Sequence, residues 1–214
     1  MKTHKMIDVT INEAKEWYNS GNETLVELAL KAFSKDELTY NFKDITTFKK
    51  ACEVLGLNYD DMFYITKNIA TISKASAAMF KLNIIRKALN LGQDLHLTKD
   101  PENFYIYYPY NPFVTKSSTY YKDDINSGKM EIIGKIKSEG EEYNVLGGYA
   151  FDTNYTGFGN FNFSNGIGYT YVNIGLLGCA SKEIAEHLGK YFGMLITEAK
   201  YGDLSDFEII ESKY

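Results

Sequence analysis

Apolar residues between positions 10 and 92 recur at the three- and four-residue spacing of amphipathic helices. Thr10 followed by Glu13 forms a capping box, and Gly21 closes the short helix behind it. Asn22 caps a second helix that carries Leu25, Leu28, Ala29, Ala32 and Phe33. Ser34 with Glu37 opens another, and Thr47 caps FKKACEVL, stopped at Gly56. The spacing then predicts one long helix over about 66–91, ended by Gly92. Ile69, Ile72, Met79, Phe80, Ile84 and Leu91 fall on one face of it. Leu82, Ile85 and Leu89 fall on the other, which marks a buried central element. Small residues at 75–78 allow a neighbouring helix to come close.

From about residue 104 the period changes. FYIYYPYNPF is rich in strand formers and is expected to stop at Pro109 and Pro112. KMEIIGKIK, residues 129–137, alternates and then slips at Ile133–Gly134, the mark of a β-bulge. Ser138-Glu139-Gly140-Glu141 turns the chain, and EYNVLGGY returns with Tyr143 and Val145 on one face, completing a hairpin. A last helix spans 181–201, capped by Ser181 with Glu183 in its first turn and ended by Gly202. Its buried stripe reads Ile184, Leu188, Tyr191, Phe192, Leu195 and Ala199. Phe207, Ile209 and Ile210 form a short terminal strand. The fold class is therefore α+β: a helical region over 1–92, then an antiparallel β-rich region over 93–214 packed by a C-terminal helix.

The hairpin leads into YAFDTNYTGFGNFNFSNGIGYTYVNIG, residues 149–175. Eight aromatics stand between Tyr149 and Tyr171, separated by Gly, Asn, Ser and Thr, with Asp152 as the only charge. A disordered linker does not carry so many rings. Large rings at low entropy cost beside adaptable amides are the mixture of a recognition surface. Three readings stand. The period-two pairs FNF and YTY alternate into a core, or the intervening residues and loop tips form a binding surface, or the uncharged strands pair with another subunit. As a binding surface it would use Tyr155, Phe158, Asn160, Asn162, Asn165, Tyr169, Tyr171 and Asn173. Its tips would lie near Thr156-Gly157 and Ser164-Asn165-Gly166.

Composition narrows the partners. The 214 residues are 44% hydrophobic and 24% charged, which is ordinary globular usage with material for a sizeable core. The net charge of −5 argues against nucleic acid. Residues 1–92 carry 13 Lys/Arg against 11 Asp/Glu, whereas 93–214 carry 10 against 17, so the aromatic half is the acidic half. No apolar run reaches the length of a membrane span, and MKTHKMIDVT has no signal-peptide core. Two cysteines make no disulfide framework, so synthesis in the cytosol is expected, with any export by lysis or assembly.

Motifs for chemistry are sparse. His4, His96 and His187 stand apart, and neither HExxH nor CxxC occurs, so no metal is expected. Cys179 precedes a helix start and could pair with His187 as nucleophile and base. However, His187 lies roughly 9–10 Å farther along the axis at about 1.5 Å per residue, so a small buried packing cysteine is the preferred reading. GFGNFNFSNGIG lacks the spacing of a phosphate loop, and no cofactor is expected. Asp60-Asp61 and Asp123-Asp124 read as solvated surface.

Two further stretches carry a resemblance. IIRKALNLG (84–92) followed by YIYYPYNPF (105–113) resembles an IIxxALNxG string followed by a YYPW-type motif. LLGCASKEIAEHLGKYF (176–192) is similar to LCFKSxELAEYAGKxF. Both patterns occur in a group of short proteins encoded by phages and prophages of gut Bacteroidota. The chain departs from them at Tyr110, where the pattern has Trp, and at Gly178 and Ala180. The resemblance implies a phage-borne binding protein of the fibre, decoration or receptor-binding type, non-enzymatic and without cofactor. It would be made in the host cytoplasm and carried in the virion if structural. The partners it implies are a protein or glycan ligand, other virion proteins or further copies of the chain, with neither nucleic acid nor membrane. In composition and placement, 149–175 also resembles the variable region of proteins diversified by phage retroelements, which implies a C-type-lectin-like scaffold. The alternatives are a self-assembling virion protein and a thiol hydrolase at Cys179.

Overall fold

The computed structural model describes residues 9–91, 106–153 and 178–214. Contacts divide the chain after Asn41 into two compact units. The helix that ends at Leu89 packs against one near the C-terminus, Gly193–Tyr201.

The first unit is built from α1 (Ile11–Asn19), α2 (Glu23–Ala32) and α3 (Lys35–Thr39). Each begins where its cap was read. Thr10 and Glu13 form a reciprocal box, Asn22 accepts from the amides of Thr24 and Leu25, and Ser34 and Glu37 form a second box. Gly21 turns the chain between α1 and α2 at φ +72°. Ala14, Ala29 and Leu38 make a small core, covered by Val9, Ile11, Trp17, Tyr18 and Phe33.

The second unit starts with a 3-10 turn at Phe42–Asp44 and α4 (Phe48–Val54), capped by Thr47. The single helix expected over 66–91 is two: α5 (Tyr59–Ala70) and α6 (Lys74–Leu89). Ser73 is extended between them, and its hydroxyl accepts from the Ser76 amide at 2.9 Å. The same hydroxyl donates to Asp203 at 2.5 Å, so the break is an N-cap held from a distant loop. The break also ends the expected apolar face. Ile72 is 89% exposed, and the buried face of α6 is Ala77, Ala78, Leu82, Ile85, Ala88 and Leu89. The helix lies against α9 (Gly193–Tyr201). The expected C-terminal helix is likewise two, α8 (Lys182–Tyr191) and α9, with the break at Phe192–Gly193.

Strand β1 (Ile106–Tyr110) runs through Pro109 instead of stopping there. It pairs antiparallel with β5 (Tyr149–Thr153), Pro109 standing opposite Ala150. The Tyr107 amide faces away from β5 toward Cys179, and two residues on the missing Pro109 amide faces the same edge. The β1–β5 ladder therefore loses no donor. A separate antiparallel sheet has the order β2-β4-β3-β6, from β2 (Phe113–Thr115), β3 (Glu131–Ser138), β4 (Glu141–Gly147) and β6 (Glu208–Ser212). The short α7 (Lys122–Asn126) precedes β3.

The hairpin and bulge are where the sequence placed them. Glu139 and Gly140 have φ +51° and +82°, the two positive values of a type I′ turn. Asp206 accepts from the Glu139 amide at 3.2 Å, which supports that conformation. The register slips between Ile132 and Gly134. That extra residue lets Ile133 and Ile136, three apart, both enter the core with Val145 and Met194. Tyr143 packs on the same cluster.

Glu131 gathers the C-terminal end. Its carboxylate pairs with Lys190 at 2.7 Å and with Lys213, and accepts from the Tyr214 hydroxyl at 2.9 Å. Burial alone would raise this carboxyl, but the bonds from Lys190, Lys213 and Tyr214 outweigh it and hold it below the ordinary 4.5. Its contribution is present above pH 4.5 and is lost as pH falls below that value through the lowered one. Glu131→Gln is expected to lower stability by about 0.5–1 kcal/mol at pH 7. The difference from the parent should shrink in high salt and below pH 4.5, as read by thermal melts.

Candidate functional site

The eight residues expected to make contact, Tyr155, Phe158, Asn160, Asn162, Asn165, Tyr169, Tyr171 and Asn173, lie outside the described residues, as do His4 and His96. What the structure describes is the base from which their segment leaves and to which it returns.

On one side, β5 runs to Thr153, opposite Ile106 at the start of β1. On the other flank of β1, Tyr107 and Cys179 exchange both backbone hydrogen bonds, at 3.1 and 2.9 Å. Thr153 and Cys179 therefore sit on opposite edges of one strand. At about 4.8 Å per strand step they are roughly 10 Å apart.

A second device fastens the returning chain. Asn90 caps the C-terminus of α6 and is 7% exposed. Its Oδ1 accepts from the Ala180 amide at 2.8 Å. Its Nδ2 donates to the Arg86 carbonyl at 2.8 Å and to the Gly178 carbonyl at 3.4 Å. One amide thus joins the end of a core helix to the backbone on both sides of Cys179. Sequence reasoning missed Asn90. The available signal was a polar residue that interrupts the apolar run ALNLG just before a helix-ending glycine.

Cys179 itself is fully buried, and burial pushes its thiol up to about 12 against the opposing pull of Arg86 and Asn90. It is a protonated packing group at neutral pH. His187 lies in different surroundings. Its Nε2 bonds the Ile45 carbonyl at 2.8 Å, and its ring packs on Tyr191 and Phe42. The pair considered as nucleophile and base is not brought together. Both cysteines are free and buried. No group of three or more His, Cys, Asp or Glu suited to a metal occurs among the described residues.

At the other end of β1 the chain gathers tyrosines. The Tyr110 and Tyr121 hydroxyls share a hydrogen bond of 2.7 Å, and the Tyr149 ring lies 6.3 Å from that of Tyr110. Lys129 stands over the Tyr149 ring at 4.6 Å, its ammonium also paired with Asp124 at 3.2 Å. Beside this cluster a shallow hollow of about 350 Å³ is formed by the loop Thr119–Asp124. The two-stranded β1–β5 unit thus carries the Tyr110 and Tyr149 rings at one end, and the chain leaves it after Thr153 and rejoins it at Cys179.

Compared with protein-family models, curated proteins and solved structures, the chain matches none. The class defined by the fold is an α+β protein, with two antiparallel sheets among its described residues. Among its described residues no helix is long and apolar enough to cross a membrane.

Proposed function

We propose that the chain is a binding protein of a phage or phage-like particle, which presents the aromatic, Asn- and Gly-rich segment 154–177 to a protein or glycan. The observation that carries this reading is the fixing of both ends of that segment on the two edges of β1, with Asn90 holding the returning end. Preorganised ends reduce the ordering entropy that a surface of this composition would lose on binding. Tyr and Phe then supply contact area, and Asn, Ser and backbone groups supply hydrogen bonds. The sequence resemblance to phage-encoded proteins supplies the setting, and the resemblance of 149–175 to variable regions carried on lectin-like scaffolds supplies the glycan arm of the ligand class.

The reading is tested by replacing Tyr155, Asn160 and Tyr171 together by Ala. The triple variant should keep the parent's thermal midpoint and near-ultraviolet circular dichroism. It should bind a glycan array and immobilised bacterial envelope proteins at least about tenfold more weakly, a loss of about 1.4 kcal/mol. A folded variant whose binding to both surfaces equals the parent's would sink the proposal.

A further inference from the structure

We propose that His187 is an acid-sensitive latch, which holds Phe42–Ile45 against α8 when neutral and releases that segment when protonated. The imidazole is 7% exposed. Its Nε2–H donates to the Ile45 carbonyl at 2.8 Å, and that is its hydrogen bond among the described residues. Phe42 meets the ring edge-on at 5.5 Å, and Tyr191 lies against it at 4.5 Å. Ile45, the residue latched, is itself fully buried.

The charged groups around the ring decide the sign. The latched segment carries Lys43 and Asp44, and α8 carries Glu183, Glu186, Lys190 and Tyr191. Behind Tyr191 stands Tyr214, next to Lys213, and Lys190 and Lys213 are both drawn to Glu131. No carboxylate pairs with the imidazole among the described residues. Burial is the largest influence and opposes a charge on it; the Ile45 carbonyl favours one, and the Lys190 and Lys43 ammonium groups oppose it. The net effect holds the group below its ordinary 6.5. Protonation leaves the Nε2 bond in place but adds a charge and a second donor at Nδ1 in an apolar site flanked by two cations. Opening to water relieves both. The stabilisation is therefore complete above pH 6.5 and is lost as pH falls from there through the lowered value.

The position of the latch gives it a consequence. Phe42 is the first residue of the second unit, and Thr47 caps α4. Releasing 42–46 converts a packed segment into additional tether between the units. Acid would thus lengthen the connection without unfolding either unit. This device stands independently of the binding role proposed for 154–177.

The test follows the imidazole resonance of His187 and amide hydrogen exchange in the full chain between pH 7.5 and 5. His187 should titrate below 6.5. After correction for intrinsic rates, exchange at Ile45 should rise by up to about tenfold per pH unit as pH falls from 6.5 to the folded value and level off below it, while Ile85 in α6 stays protected. His187→Gln, which keeps a donor near Nε2 but cannot titrate, should remove the pH dependence at Ile45. Titration at or above 6.5 would overturn the latch, as would Ile45 and Ile85 opening together or an unchanged pH profile in His187→Gln. If that variant does not fold, the titration and the Ile45–Ile85 comparison in the parent protein decide.

Discussion

Gly147→Ala is expected to destabilise the second unit by about 3 kcal/mol, the upper range for overpacking a filled site. Gly147 ends β4, and a Cβ built on it would lie 2.6 Å from the Gly189 carbonyl oxygen of α8 and 3.0 Å from two carbons of Ile133. The Ile133 side chain can turn aside, but the Gly189 carbonyl is helix backbone and also accepts from Asn111 Nδ2 at 2.8 Å. Asn111 Nδ2 donates as well to the Leu146 carbonyl at 2.9 Å, so one amide bridges β4 and α8 at their closest approach. Separating the elements to admit a methyl would stretch both bonds. The expected reading is a lower denaturant midpoint with unchanged m-value, together with a thermal midpoint lower by roughly 6–12 °C at about 2–4 °C per kcal/mol. A midpoint equal to the parent's would show that β4 and α8 are not in backbone contact.

Asn90→Ala is expected to destabilise the same unit by about 2–3 kcal/mol, because several hydrogen bonds go at once and buried backbone groups are left unmatched. The orphaned groups would be the Ala180 amide and the Gly178 carbonyl, on either side of the Tyr107–Cys179 pair. The effect should be local before it is global. Hydrogen exchange at Cys179 and Ala180 should accelerate more than exchange within α6. Asn90→Asp separates the two halves of the interaction: it keeps an acceptor for Ala180 and loses the donor to Gly178 and Arg86. It should fall between the parent and Asn90→Ala. If segment 154–177 binds as proposed, Asn90→Ala should also weaken that binding, because it loosens one of the two fixed ends. Cys179 and Ala180 exchanging as slowly as in the parent would refute the clamp.

These two positions show where local pattern stops informing. Asn22, Thr10, Ser34, Thr47 and Ser181 are legible as caps because the groups they satisfy lie two or three residues away. The I′ turn at Glu139–Gly140 and the bulge at Ile133 are legible for the same reason, since both follow from side-chain alternation within one hairpin. Ser73 has the same chemistry as the other caps, yet the apolar run across 69–85 concealed the helix break there. Its hydroxyl is engaged by Asp203, a partner 130 positions away. Pro109 misled in the opposite direction. A proline reads as a stop, but its missing amide faces an edge where the ladder to β5 needs no donor.

The candidate site divides in the same way. Segment 149–175 stands out by composition, whereas the residues that hold its ends do not. Tyr107 and Cys179 exchange backbone hydrogen bonds, which leave no trace in side-chain type, and Asn90 is one amide among many.

By itself the sequence determined the α+β class, the starts of α1 to α4 and of α8, the β3–β4 hairpin and the place of the aromatic segment, because each depends on near neighbours and on periodicity. Only the tertiary structure decided that α5 and α6 are separate, that Leu82, Ile85 and Leu89 mark the buried face of α6, and that the chain divides after Asn41. Only it placed Thr153 and Cys179 on the two edges of β1. Those outcomes depend on which distant surfaces exclude water from one another. An apolar face is visible in a sequence, but its partner is chosen by the packing of the whole chain.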